Sequence, residues 1–267
     1  MLLFCACFSS CGRSNIIQLQ GGKAPDYDIN ADVRIAEADH LGNIFIVTDD
    51  NLLIKYDRTN QEKYRYANKR TGAITHLDVT NPLKVLVFFD DFNYLLILDN
   101  TLTEITDLRL EDHGFMDISA AAIANDDNYW VYDPVQFNLV KVNSRGMVLV
   151  RTSNTNDFGM SGSVVSSIRE AGNFVVLMDK EKGFYIFDNL GQFVKYYGAT
   201  GVRYFQFDGR TIFYSTSSGL LGINLRMAEE KMITDIPMSD QNNPVYLLET
   251  ASERISVFRK GINRYKK

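Results

Sequence analysis

The chain has 267 residues, 45% of them hydrophobic, which is enough for one sizeable core; 5 Pro and 18 Gly are too few for a disordered or fibrous protein. A net charge of −5 argues against nucleic acid as the default partner and leaves room only for a local basic patch. The 3 cysteines, Cys5, Cys7 and Cys11, sit together at the N-terminus, so the body carries no disulfide framework and no Cys-based zinc or thiol chemistry.

Taken in order, Met1 to Cys11 runs from apolar to small to Cys. Phe8-Ser9-Ser10-Cys11 resembles the lipobox of bacterial lipoproteins, in which an apolar residue and two small ones precede the Cys that is lipidated. The resemblance implies a signal segment over residues 1–11 and lipidation at Cys11. Phe8 replaces the commoner Leu, and no Lys or Arg precedes the apolar run; a start further upstream would account for the latter. The alternative is a cytosolic chain with a chance apolar start. Nothing later is long enough to span a bilayer, so the expected chain is anchored rather than embedded. Residues 12–15 read as a polar tether and 16–267 as one domain.

Val85–Phe89 and Tyr94–Leu98, joined by Asp90-Asp91-Phe92-Asn93, set the pattern for that domain: two apolar strands around an acidic turn. The second strand ends apolar-x-apolar-Asp, where Asp can open an Asx turn. The same ending, with Asp or Asn, recurs at Asp57, Asp99, Asn143, Asp188, Asn224 and Asn263. A period of roughly 40 residues with several strands in each is that of a β-propeller blade, against the alternative of a sandwich with similar hairpins.

Four strands are predicted per unit. Blade 1 is Val33–Ala36, Asn43–Val47, Leu52–Tyr56 and Glu62–Tyr66; blade 2 is Ile74–Val79, Lys84–Phe89, Tyr94–Leu98 and Thr103–Leu108. Blade 3 is Ile118–Ala124, Tyr129–Tyr132, Asn138–Val142 and Met147–Arg151; blade 4 is Val164–Arg169, Phe174–Met178, Gly183–Phe187 and Phe193–Tyr197. Blade 5 is Val202–Phe207, Thr211–Ser215, Gly219–Ile223 and Lys231–Ile236. The sixth unit has only Val245–Leu248, Arg254–Phe258 and Gly261–Tyr265, and the isolated run Ile16–Gln20 is the expected fourth strand. The expectation is an all-β, six-bladed propeller with four-stranded blades, closed by pairing of the N-terminal strand with the last blade. Leu225–Met232 is the best helical pattern in the chain.

No catalytic or metal site emerges and no cofactor is expected. His40, His76 and His113 lack a local partner His, although His76 alternates with apolar residues on an inner strand and could face the channel. Asp49-Asp50-Asn51, Asp90-Asp91 and Asn125–Asn128 lack the calcium-loop pattern and read as turns. Gly159–Ser163 lacks the strand–loop–helix setting of a phosphate cradle. The basic stretches Lys69-Arg70 and Arg264–Lys267 read as solvated charge or a contact for an anionic partner. The blade-to-blade linkers should line one rim, and Lys69, Arg70, His113, Phe115, Phe158 and Met160 are its candidate interaction residues. Phe115, Met116 and Phe158 could equally tuck into blade interfaces.

With Cys11 and six repeats in view, the chain resembles bacterial envelope lipoproteins with six-bladed propellers. It lacks the Trp-Asp strand ending of WD repeats, the Trp in every blade of quinoprotein-like propellers, and the kelch Gly-Gly pairs. The resemblance implies a non-catalytic, membrane-tethered interaction scaffold. Its partners would be other proteins of an envelope assembly or secretion machine, at the outer membrane facing the periplasm, with no nucleic acid involved. An enzyme or glycan binder with its site in the central channel is the alternative.

Overall fold

The computed structural model describes residues 27–29, 32–68, 71–234 and 244–267. These form six four-stranded antiparallel sheets in chain order. Blade 1 contains Val33–Ala38, Ile44–Thr48, Leu52–Tyr56 and Glu62–Ala67; blade 2 contains His76–Asp78, Lys84–Phe89, Tyr94–Asp99 and Glu104–Arg109. Blade 3 contains Ala120–Ile123, Tyr129–Asp133, Asn138–Val142 and Val148–Arg151; blade 4 contains Val165–Ala171, Phe174–Asp179, Gly183–Asp188 and Phe193–Gly198. Blade 5 contains Tyr204–Phe207, Thr211–Thr216, Gly219–Asn224 and Glu229–Thr234; blade 6 contains Tyr246–Glu249, Glu253–Phe258 and Gly261–Lys266, with Tyr27–Asp28 as its outer strand.

Each first strand lies innermost and meets the first strand of the next blade, and blade 6 meets blade 1. The second strands of blades 1 and 3, Ile44–Thr48 and Tyr129–Asp133, are buried along their whole length because a neighbouring blade covers each face. The outer strand Glu62–Ala67 is exposed except at Tyr66. In blades 1 to 5 the pairing of third and fourth strands slips by a bulge, between Lys55 and Tyr56 in the first and Ile186 and Phe187 in the fourth. Bulges bend the strand and increase its local twist. A Cβ on Gly191, in the outer turn of blade 4, would lie 2.8 Å from Val150 of blade 3.

Five of the six repeated endings are Asx turns. Asp57 Oδ1 accepts from the backbone N–H of Thr59 and Gln61, and Asp99 Oδ1 from that of Thr101 and Thr103. Asn143, Asp188 and Asn224 do the same. The sixth match is out of register: Asn263 is buried in the middle of the strand Gly261–Lys266 and pairs with Ser256. Lys266 occupies the place of the turn residue.

The N-terminal strand closes the ring, as expected, but the pairing segment is Tyr27–Asp28, set against Ile262 and Gly261. Ile16–Gln20, the expected closing run, lies outside the described residues. Arg264 reinforces the joint: it donates to Asn60 Oδ1 at 2.7 Å and to the carbonyls of Gly42 and Asp57 at 3.0 Å. This arginine, read as a surface charge, is the latch between blades 6 and 1. The helical expectation at Leu225–Met232 is overturned, since Arg226–Ala228 turn and Glu229–Thr234 is the outer strand of blade 5. Strand pairing with Gly219–Asn224 overrides the helix propensity of Met-Ala-Glu-Glu-Lys.

Candidate functional site

Strand direction alternates within a blade. The turns after the first and third strands therefore lie at one end of the ring. The turns after the second strands lie at the other end, together with the blade linkers. The linker end is where the sequence placed its interaction residues.

Of these, Lys69 and Arg70 lie outside the described residues, as does Cys11. His113 is exposed, and its ring lies over Gly146 of the next blade, where a Cβ would come within 2.2 Å of it. Phe115 and Met160 are buried in the interfaces between blades 2 and 3 and blades 3 and 4. Phe158 packs there too, its ring stacked on Phe193 at 5.0 Å. Apolar rings at a twisted blade joint gain more by burial than by display. Met116, beside the buried Phe115, is 69% exposed.

The inner strands bring together a different set. Glu37 in blade 1 and Arg169 in blade 4 belong to opposite sides of a six-membered ring, and they meet across the axis in a buried ion pair. The Arg169 guanidinium also donates to the Leu77 carbonyl of blade 2 at 3.0 Å and to the Ile168 carbonyl at 2.8 Å. The Tyr204 hydroxyl of blade 5 donates to Glu37 Oε2 at 2.5 Å. His76, as its inner position suggested, reaches across the channel: its Nε2 is 2.7 Å from the Ser166 carbonyl, so that nitrogen carries the proton. Four blades are thus tied through the axis.

Burial penalises the Glu37 carboxylate more than Arg169 and Tyr204 stabilise it, and its pKa is pushed up to about 7. Burial also works against the Arg169 charge, but Glu37 and Asp78 outweigh it and the guanidinium is held firmly protonated. Burial pushes His76 down, favouring the neutral ring. Asp78 is structural: its Oδ1 caps Thr80 and its Oδ2 accepts from the Ile123 N–H of blade 3 at 2.9 Å. Glu170 makes the matching contact between blades 3 and 4, accepting from Trp130 Nε1 at 2.6 Å.

At the end away from the linkers, this polar plug floors a cavity of about 460 Å³. The cavity leans towards the joint between blades 5 and 6, and packing explains why. The other five interfaces each bury ten or more apolar side chains, whereas this one buries only Leu220 and Leu247 among the described residues. Phe207, Phe213, Ala38 and Ala171 give the cavity an apolar wall, and Asp39, Asp208 and Glu249 stand around it.

Glu37, Arg169 and Tyr204 were not singled out from the sequence. The available signal was a charge set inside an inner strand, in Ala36-Glu37-Ala38 and Ile168-Arg169-Glu170. Of the acidic turns, Asp126 pairs with Lys141 at 3.0 Å and Asp127 with Lys84 at 2.7 Å. No metal-holding group of three His, Cys, Asp or Glu side chains occurs among the described residues.

No known family matches the sequence, and no curated protein matches it. Among solved structures, the WD40 domain of Neurospora crassa Pan2 is similar with a TM-score of 0.58 at 11% identity, over 88% of this chain and 76% of that one. The computationally designed Ika8 protein aligns over 88% of this chain and 70% of its own, with a TM-score of 0.49 at 12% identity. The first likeness bears on fold alone: this chain is an all-β, six-bladed propeller, similar in fold to the Pan2 WD40 domain.

Proposed function

We propose that this chain is a non-catalytic protein-interaction scaffold, tethered to a bacterial membrane through lipidated Cys11 and docking a partner of an envelope assembly or secretion machine. The observation that carries the docking is the linker end of the ring. Phe92, Met116, Val135, Phe137 and Val164 are all exposed there, over blades 2 to 4, with Met116 at 69% and Val164 at 73%. A rigid ring presenting apolar side chains on loops is the chemistry of a protein contact. The lipobox-like Phe8-Ser9-Ser10-Cys11 supports the tether.

The test is crosslinking in native membranes, with intact mass and sequencing of the N-terminal peptide. Acylated Cys11 and a crosslinked envelope protein are expected. Charge at Met116→Glu and Val164→Glu should abolish the crosslink and leave the melting temperature unchanged. An unmodified soluble chain would remove the tether, and a crosslink indifferent to both substitutions would remove this rim as the docking surface.

A further inference from the structure

We propose that the cavity at the opposite end of the axis binds a small organic ammonium ion, an amine carrying an apolar body. The volume of about 460 Å³ lies in the range of small-molecule sites. Its floor is closed by the buried Glu37–Arg169 pair. Around it, Glu249 is paired with Arg254 and Lys267, whereas Asp39 and Asp208 have no bonded cation among the described residues. Asp39 is held by uncharged donors, the Asn43 N–H at 2.8 Å and its Nδ2 at 2.7 Å. Asp208 is held by the backbone N–H groups of Arg210 and Thr211. Two carboxylates whose charge no bonded cation cancels, in a concave site with apolar walls, focus a negative potential where a ligand would lie.

Phe207 and Phe213 line the same space, and aromatic faces add to the attraction for a cation. The rim shows that the chemistry works here. The Lys267 ammonium sits 2.6 Å from Glu249 Oε1 and also donates to the Thr250 carbonyl. An anion would meet Asp39 and Asp208 unfavourably, and a neutral molecule would gain only the apolar wall.

The proposal is independent of the docking rim, which lies at the other end of the ring. It is tested by calorimetry on the full chain, with 2-phenylethylammonium as probe and 2-phenylethanol as its uncharged counterpart. Saturable binding of one ammonium per chain is expected, with the alcohol weaker by about tenfold or more. Asp208→Asn keeps the turn acceptor and removes the charge, and should weaken the ammonium about tenfold; Asp208→Glu should restore most of it. Absence of saturation by the ammonium, equal binding of the alcohol, or an Asp208→Asn chain that binds as well as wild type would each overturn the proposal.

Discussion

Replacing Glu37 by Gln gives the sharpest test of the axial plug. The substitution conserves size, leaves an oxygen to accept from Arg169, and lets the Tyr204 hydroxyl turn to accept from the new amide. What it removes is a titration. Burial lifts the Glu37 pKa from the ordinary 4.5 to about 7, with Arg169, Tyr204 and Asp78 as the charged and titratable groups around it. Between those values the native state binds the proton more tightly than the unfolded chain. Stability from this group is therefore present at low pH, is lost as pH rises through the window, and is flat above about 7. Two-state linkage makes the loss on the order of 2–3 kcal/mol between pH 5 and pH 8. Urea unfolding of both chains at the two pH values isolates this contribution, because His76 and other titrating groups are common to both. The Glu37→Gln chain should gain on the order of 2–3 kcal/mol on wild type in going from pH 5 to pH 8. A gap that stays constant would show that Glu37 does not titrate in this range. A gap moving the other way would show that Arg169 keeps the carboxylate ionised, and would refute the claim that burial dominates.

Glu170→Ala leaves the buried Trp130 indole N–H without its acceptor and should cost about 2–3 kcal/mol in urea unfolding, whereas Glu170→Gln should cost under about 1 kcal/mol. Gly183 opens a strand at φ +114°, and a Cβ there would lie 2.3 Å from the Tyr197 carbonyl oxygen. Gly183→Ala should therefore lower stability by about 3 kcal/mol, measured by thermal melting, because backbone rather than a side chain must move. The Thr234 hydroxyl is buried with no hydrogen-bond partner among the described residues, so Thr234→Val should be neutral or stabilising by up to about 1 kcal/mol. A loss of more than about 1 kcal/mol in the same assay would show that the hydroxyl is bonded after all.

The repeat was legible because it is local physics. An apolar strand ending in Asp or Asn must turn, and the side chain that makes the turn is written in the chain, as at Asp57, Asp99 and Asp188. The number of blades, four strands in each and closure by an N-terminal strand follow from counting such units. The same local pattern misled where pairing decided the outcome. Asn263 matches the ending but lies within a strand, and Leu225–Met232 reads as helix but contributes to an edge strand held by Gly219–Asn224. Tertiary structure alone decided which side chains face the axis. Glu37 and Arg169 are separated by more than a hundred residues, and only ring closure sets blades 1 and 4 opposite one another. It also decided that Phe115 and Met160 are buried while Met116 is exposed, because the linkers pack the first two into the clusters between adjacent blades. Strand identity is dictated by neighbours in sequence, whereas the cavity and its charges arise from residues brought together across the ring.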